Sequence, residues 1–396
     1  MDVHRNIRLL YIFNFLTDFK LWAAVAVLIF SRESGSYLGG MAVFSVMTLS
    51  SALFEIPTGL ISDHFGRKAG IISGAASALT GSLFFALDNG YASLLVGAAF
   101  FGLSASIYSG NNDAFLYDFL KSRGEQKEYA HYLGRVSSMF QLALAISAVA
   151  GGILASVSYS LVMWLSVIPQ LGCFIIAFFF EDTAVDTRRK DPLLQLRAAF
   201  REFRRNPVLR KISSASVIGH SFGEAGYQFQ AAFFATLWPV WAIGIAKTLA
   251  NLGAAVSFHY SGRITRRFGR LKSVIFTRLA GRGLHAAALL LAGPVSPLLI
   301  ASTSLMFGVQ TVGENSLQQD EFSPRQRATM GSIVSLAGSA VFALASLLLG
   351  WLGDLLGIIN AYLLLQAVLL IPAWMLYRVY RGRSSAAEDK AEKIRR

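Results

Sequence analysis

Apolar runs long enough to cross a lipid bilayer follow one another along almost the whole sequence, separated by short turns that carry charge. Each run exceeds about 17 residues, which at about 1.5 Å per residue spans a hydrocarbon core of about 30 Å. Hydrophobic residues make up 54% of the chain and charged residues only 15%, too few for the surfaces of several soluble domains. The sequence therefore predicts an all-α membrane protein with twelve transmembrane helices.

The predicted spans divide evenly around a polar central segment. We expect an N-terminal six-helix bundle at 1–180, a basic cytoplasmic linker at 181–207, a C-terminal six-helix bundle at 208–380 and a charged cytoplasmic tail at 381–396. Apolar residues alternate with arginines in the linker at helical spacing, which favours an amphipathic helix on the membrane surface over a solvated charged stretch. The predicted spans are 7–30, 37–61, 68–88, 91–119, 133–157, 159–180, 208–235, 238–261, 272–292, 296–320, 327–354 and 357–379.

The basic residues are distributed unequally between the two sides of the predicted membrane. With the N-terminus inside, 31 of the 36 Lys and Arg residues fall in cytoplasmic segments, and the outer turns contain only Arg32. Such asymmetry indicates that both termini are cytoplasmic, and it accounts for the net charge of +13 without nucleic-acid binding.

Asn14, Asp18 and Lys20 interrupt the first run, so we expect a retained span and not a cleaved signal peptide. The single cysteine, Cys173, excludes a disulfide within the chain.

A tight charged turn joins the second and third spans, within FEIPTGLISDHFGRKAG at 54–70. Its pattern is G-x-x-x-D-x-x-G-R-K, formed by Gly59, Asp63, Gly66, Arg67 and Lys68. Glycine permits a sharp reversal and close helix approach, while the charged side chains stay in water. GLISDHFGRK resembles the hallmark loop of the major facilitator superfamily of secondary transporters, with histidine at position 64 where that family usually has Arg or Lys. The segments 54–68 and 109–135 resemble one bacterial branch of the superfamily.

The resemblance implies two pseudo-symmetric six-helix bundles that alternate access to a central cavity lined by the first, fourth, seventh and tenth helices. It also implies that Asp63 and Arg67 latch the inner ends of the bundles. Asp63 would then lie near the N-terminus of the eleventh helix, where Ser323 and Pro324 suit a helix start, and Arg67 would pair with Asp118. The alternative is a loop that fixes topology by its charge alone.

The two halves of the sequence repeat with an offset of 203 residues. Gly59, Phe65, Gly66 and Arg67 recur as Gly262, Phe268, Gly269 and Arg270, so GRITRRFGR forms a second copy of the loop, with Arg266 in place of Asp63. Internal repeats of this kind are typical of transporters that bind solute near the bilayer midplane.

Ionisable residues inside a span are costly and therefore need a functional or structural explanation. Asp18, Asp113, Glu224 and Glu314 fall one on each of the four helices expected to line the cavity, and Glu55 lies near the inner end of the second span. We expect these five carboxylates to include the proton-coupling groups, since an apolar environment favours the protonated form of a carboxylate. Static ion pairs with Lys20, Lys247 or Arg282 are the alternative. Further cavity candidates are Asn14, Lys20, Asn111, Asn112, Tyr227, Gln228, Lys247 and Gln310.

The residues at 14 and 18 share one face of the first helix, whereas we expect Lys20 to point roughly opposite. Lys20 and Lys247 favour an anionic or zwitterionic substrate. The Gly-Pro pair of the family's antiporter signature is missing, since Ser147 and Ala148 precede the two glycines on the fifth span.

We expect a proton-driven exporter of a drug or metabolite in the bacterial cytoplasmic (inner) membrane. An importer or uniporter of an organic anion or nutrient, and a lipid flippase, remain alternatives. The sequence contains neither H-E-x-x-H nor G-x-x-x-x-G-K-[ST], so neither a zinc protease nor an ATP-driven pump is expected. We expect no cofactor and no nucleic acid, a small-molecule substrate, contact with the lipid bilayer and a monomeric state.

Overall fold

The computed structural model describes residues 3–87, 89–181, 200–201, 203–322 and 327–395. Side chains are described in these ranges except at 3–4, 56, 59–65, 110, 113, 130, 328 and 383–395. The described residues form helices and short turns, without β-strands. The helices are α1 Val3–Asp18, α2 Ala26–Ser34, α3 Tyr37–Phe65, α4 Arg67–Ala86, α5 Tyr91–Ser122, α6 Tyr129–Val157, α7 Tyr159–Ala177, α8 Pro207–Ala235, α9 Val240–Phe268, α10 Arg270–Leu291, α11 Ser296–Ser302, α12 Phe307–Glu321, α13 Arg327–Leu356, α14 Ile358–Val368 and α15 Leu370–Arg395.

The protein is an all-α membrane protein, as the sequence predicts. Ten helical stretches among the described residues are long and apolar enough to cross a membrane. The predicted seventh and tenth spans are not among these ten, so the expected count of twelve is not fully confirmed. The physical reason is polarity: α8 carries His220, Glu224 and Gln228, and the tenth segment is divided into α11, a 3-10 turn and the polar helix α12.

The chain folds into two compact units. Unit 1 contains 1–189 together with 228–248 and 346–354, and unit 2 contains 190–227, 249–345 and 355–396. Unit 1 therefore includes two short segments from the C-terminal half of the sequence. The amphipathic helix predicted in the linker lies largely outside the described residues, which near its end are helical at 200–201 and 203–205, and the predicted bundle boundaries remain predictions.

Unit 1 has an aromatic core where α1 and α5 meet the turn that follows α7. Phe13 is fully buried and makes edge-to-face contacts with Tyr108 and Phe180, each with ring centroids 5.6 Å apart. Phe115 adds a third such contact to Phe180 at 5.2 Å. Aromatic pairs in this geometry contribute beyond the apolar area they bury, so this core holds α1 against its neighbours.

Small residues allow close helix approach elsewhere in unit 1. A Cβ built on Gly151 of α6 would collide with the carbonyl oxygen of Leu21, and one on Gly244 of α9 with that of Ala148. Packing through such positions is common between membrane helices, where the apolar lipid provides little hydrophobic driving force. Gly151 and Gly244 therefore fix how closely their helices approach.

Unit 2 is held by packing and by hydrogen bonds to helix carbonyls. The Tyr362 hydroxyl donates to the Gly226 carbonyl at 3.0 Å, and Leu365 packs beside the same glycine. A Cβ on Gly219 of α8 would meet the guanidinium of Arg278. Side chains of other helices thus pack closely against both of these glycines, and α8 continues through both without a break.

The backbone repeats with the same offset as the sequence. Helices α3 and α9 each contain 29 residues, and each is followed by one glycine with positive φ, +90° at Gly66 and +82° at Gly269. Glycine is favoured there because a side chain would strain the left-handed backbone. Helices α4 and α10 then begin at Arg67 and Arg270, so the second copy of the charged loop has the same helical context as the first.

Candidate functional site

The first predicted span is broken at its centre. Helix α1 ends at Asp18, residues 19–22 are not helical, and a 3-10 turn at Ala23–Val25 leads into α2. The expectation that Lys20 points away from Asp18 is therefore wrong, because it assumed a continuous helix. Lys20 Nζ lies 3.8 Å from Asp18 Oδ1, and both side chains are about one quarter exposed.

A polar cavity of about 360 Å³ lies beside this pair, within unit 1. Helices α1, α4, α5 and α7 and the break after Asp18 surround it, and we call it the Asp18 cavity. Four predicted site residues come together there, which are Asn14, Asp18, Lys20 and Asn112. Polar residues that the sequence analysis did not select also line it, namely Thr17, Ser104, Tyr108, Ser109 and Gln170.

Gln170 is the residue that sequence reasoning missed. Its side chain is fully buried, and Nε2 donates to the carbonyl oxygens of Leu16 and Thr17 at 3.3 and 3.4 Å, near the end of α1. Its Oε1 atom receives no hydrogen bond from the described residues, and neither does Asn112 Oδ1. The signal that could have found it was a glutamine directly after Pro169 in an otherwise apolar span.

Asn111 lies outside the cavity. Its side chain is buried, and Nδ2 donates to the Arg67 carbonyl oxygen at 2.8 Å, which ties α5 to the start of α4. Glu55 is exposed on α3. Asp113 lies in α5, but its side chain falls outside the described residues. Of the carboxylates predicted in unit 1, Asp18 therefore lines the cavity and Glu55 does not, while the role of Asp113 stays a prediction.

In unit 2, Glu314 of α12 forms a buried ion pair with Arg278 of α10. Arg278 Nε donates to Glu314 Oε1 at 2.6 Å, and the two side chains are 6% and 8% exposed. Arg282, one helical turn later, donates to Gln366 Oε1 at 3.1 Å. Glu314 is thus held in a static pair in this structure, the alternative raised for the carboxylates, although its partner is Arg278 and not one of the three cations expected.

The remaining predicted residues lie on α8, α9 and α12. Tyr227 Oη lies 3.5 Å from Asn251 Oδ1 within unit 2. Lys247 is buried on α9, whereas Glu224, Gln228 and Gln310 are half-buried. Their roles as cavity or proton-coupling residues remain predictions.

In each copy of the repeat, an arginine of the charged turn forms an ion pair with an aspartate of another helix. Arg67 Nε lies 3.5 Å from Asp118 Oδ2, the pairing that the family resemblance implies, and Lys68 beside it is half-buried. In the second copy, Arg270 Nη1 lies 2.7 Å from Asp320 Oδ2. The side chains of 59–65, including those of Gly59 and Asp63, and the expected helix start at 323–324 lie outside the described residues, so the latch remains a prediction.

One enzyme-like pattern occurs in the sequence, since Gly219–Gly223 reads G-x-S-x-G. In a hydrolase this pattern places the serine on a sharp strand-to-helix turn, where its hydroxyl is exposed. Here it lies in the middle of α8, and the buried Ser221 donates from Oγ to the Gly338 carbonyl oxygen at 2.8 Å. The serine therefore contributes to helix packing and does not form a nucleophile elbow.

Known sequences that are similar to this chain are those of transporters. The sequence model described as Major Facilitator Superfamily matches residues 8–313. A curated relative from Buchnera aphidicola subsp. Schizaphis graminum (strain Sg), called an uncharacterized transporter, is 28% identical over 152 residues. That match covers 38% of this chain, and the chain spans 37% of the length of the relative.

Solved structures share the fold over nearly the whole chain. The nucleoside transporter NupG has a TM-score of 0.80 at 12% identity, with 96% of this chain and 99% of that chain covered. A bacterial homolog of the human lysosomal transporter Spinster, inward-facing and unoccupied, has a TM-score of 0.74 at 16% identity, with 96% of each chain covered. A POT family transporter in complex with 5-aminolevulinic acid has a TM-score of 0.75 at 14% identity, with 94% and 95% covered. At these identities the likeness concerns the fold alone.

Proposed function

Because the chain belongs to the major facilitator superfamily, we propose that it is a proton-coupled secondary transporter that moves a small organic solute across the bacterial cytoplasmic membrane. It works by alternating access, with both termini in the cytoplasm. Its physiological direction is export of a drug or metabolite, in exchange for protons that enter the cell.

The observation that carries this proposal is the Asp18–Lys20 pair at the wall of a polar cavity. A carboxylate in a transmembrane helix marks an ion or substrate path by default, because its desolvation is costly. The separation of 3.8 Å is longer than a direct charge-assisted hydrogen bond of about 2.8 Å, so the two groups attract each other without locking together. Both remain partly exposed and are therefore accessible to protons and solute.

Asp18 takes up the coupling proton. In the charged state its carboxylate attracts the Lys20 ammonium; protonation removes that attraction and leaves the ammonium available for another acceptor. Solute that interacts with Lys20 or Asp18 thus competes with the proton for the same pair. Competition of this kind links the occupancy of the cavity by solute to its occupancy by protons.

The charged turn acts at the inner ends of the helices. Arg67 and Asp118 hold α4 and α5 together, and Arg270 and Asp320 do the same for α10 and α12. In our proposal Asp63 adds the contact that closes the inner side, and it is released when that side opens. The equivalent position in the second copy is Arg266, so only the first copy supplies a carboxylate for this contact.

Uptake or uniport of an organic anion or nutrient is the second candidate function. It is favoured by Lys20, which supplies a positive charge at the cavity wall. The two functions differ in how an imposed pH gradient drives flux, since a proton-coupled exchanger accumulates solute against its gradient and a uniporter only equilibrates it.

The test is transport by the purified full-length protein in liposomes under an imposed pH gradient, with a panel of labelled cations, anions, zwitterions and neutral solutes. The proposal expects accumulation of at least one solute on the acidic side, abolished when an ionophore dissipates the gradient. Equilibration that ignores the gradient would favour uniport. Lack of flux for every solute that binds would contradict a carrier.

A further inference from the structure

The Asp18 cavity contains more hydrogen-bond acceptors than the protein itself satisfies. Gln170 Oε1 and Asn112 Oδ1 receive no hydrogen bond from the described residues, although Gln170 is fully buried. The carboxylate of Asp18 has one described cationic neighbour, Lys20, at 3.8 Å. Buried polar atoms in proteins are nearly always paired, so unpaired acceptors at a cavity wall point to a ligand or water that donates hydrogen bonds.

The orientation of the Gln170 amide is fixed by its own contacts. Its Nε2 atom donates to two carbonyl oxygens at the end of α1, which are those of Leu16 and Thr17. Carbonyl oxygens only accept, so reversing the amide would set oxygen against oxygen. Oε1 is therefore the amide atom of Gln170 that is left without a hydrogen-bond partner among the described residues, in a side chain that lines the cavity.

Lys20 is the cationic side chain among the residues that line the cavity. Its Nζ atom lies over the Phe101 ring, 5.7 Å from the centroid, and a cation at this distance is attracted by the ring face. The ring and Asp18 together position the ammonium at the wall. An anionic group of a ligand would find its counter-charge here.

We propose that the Asp18 cavity binds a small zwitterion with a primary ammonium group. The ammonium donates hydrogen bonds to Asp18, Asn112 and Gln170, and the anionic group of the ligand pairs with Lys20. The ligand then replaces the loose Asp18–Lys20 pair with two complementary contacts. This inference rests on the proposed transport function and names the class of its substrate.

The size and lining of the cavity agree with a small polar ligand. Its volume of about 360 Å³ is near the lower end of the range of about 300–1,000 Å³ found for ligand pockets. Most of its lining residues are polar, including Ser104, Tyr108 and Ser109. A large apolar drug would leave these groups without hydrogen bonds, which disfavours it.

The direct test is calorimetric binding to the full-length protein in lipid nanodiscs, with five defined probes. Glycine and 4-aminobutyrate are zwitterions with a primary ammonium group and two different lengths. Trimethylglycine keeps both charges but lacks N–H donors, ethylamine lacks the anion and propionate lacks the cation. We expect at least one primary-amine zwitterion to bind about ten-fold more tightly than each of the other three probes, since each loses a charge-assisted contact. Two results on the unmodified protein would overturn the inference. One is that trimethylglycine binds as tightly as the amine zwitterions, and the other is that neither amine zwitterion binds.

Two variants assign the contacts to residues. Lys20→Met should weaken zwitterion binding about ten-fold without weakening ethylamine binding, since it also removes the cation that competes for Asp18, whereas Gln170→Met should weaken both. The matched controls are Lys127→Met and Gln126→Met, which make the same replacements at exposed residues away from the cavity. Melting curves identify any variant that fails to fold, in which case the probe series on the unmodified protein decides.

Failure of this inference can be told apart from failure of the transport function. If liposomes accumulate another class of solute under a pH gradient while the amine zwitterions fail to bind, the zwitterion inference is wrong and the transport proposal stands. If zwitterions bind as expected but no solute crosses the liposome membrane, the cavity assignment stands and the transport proposal is wrong.

Discussion

The Asp354 carboxylate accepts a hydrogen bond from the backbone N–H of Tyr37 at 2.7 Å, and its second oxygen accepts one from Leu38 at 2.8 Å. Tyr37 begins α3, so the carboxylate pairs two of the N–H groups that a helix start leaves without an intrahelical partner. The negative charge also lies at the positive end of the helix dipole. Residues far apart in sequence are thus joined within unit 1.

Replacing Asp354 by alanine should destabilise the protein. Hydrogen bonds to charged groups contribute about 1.5–3 kcal/mol, and the exposure of this site places the expected loss near the lower value. Thermal unfolding in detergent would measure it as a lower midpoint. Glu33→Ala, at an exposed carboxylate of α2, is the matched control and should leave the midpoint unchanged. Equal midpoints for the two variants would show that the helix-start contact contributes little.

The buried pair of Arg278 and Glu314 gives a second prediction. Arg278→Met or Glu314→Gln should each destabilise unit 2 by about 3–5 kcal/mol, because removing one partner leaves the other charged and buried. The double variant should be more stable than the sum of the two single effects predicts. The measurement is a double-mutant cycle of unfolding midpoints. Strict additivity would mean that the two groups do not act as a pair.

The glycines of α8 give a third prediction. Gly219→Ala should destabilise the protein, because the new methyl group would meet the Arg278 guanidinium. Gly223→Ala is the control on the same helix, since no described atom lies within 4 Å of a Cβ built there, and it should be neutral or stabilising by about 1 kcal/mol. If transport falls in Gly223→Ala while stability rises, that glycine is needed for movement of the helix instead.

Changes in the charged turn should impair transport more than stability. The Arg67–Asp118 pair is partly exposed, so Asp118→Asn should cost at most about 1 kcal/mol of stability. Asp63→Asn should reduce the transport rate while the amount inserted in the membrane is unchanged. Rates in liposomes and protein yields in membranes check this together. Equal losses of rate and insertion would support a loop that only sets topology.

Periodicity and charge predicted the helical class well, because both follow directly from the cost of polar groups in lipid. The break after Asp18 was not predicted. No proline or glycine marks it, so the sequence predicts a continuous helix and with it the wrong direction for Lys20. Packing of Trp22 against Phe101, at 5.6 Å between ring centroids, is a tertiary contact that no local pattern displays.

The site was predictable in part. Carboxylates inside spans drew attention to Asp18 because their burial is costly, and it does line a cavity. Gln170 could not be selected in the same way, because an amide carries no charge. Its role in the site depends on which carbonyl oxygens at the end of α1 are left without a partner. The pairing of Glu314 with Arg278 likewise depends on how α10 and α12 pack, which spacing within either helix cannot reveal.

The most direct test of proton coupling at Asp18 is solute transport by Asp18→Asn protein in liposomes, with Glu33→Gln as the control carboxylate. We expect the variant to lose accumulation driven by a pH gradient at least about ten-fold, while at saturating solute concentration it still exchanges labelled for unlabelled solute, because solute can cross but no proton is taken up. Gradient-driven accumulation at the level of the control would contradict the assignment of Asp18 as the proton-coupling group.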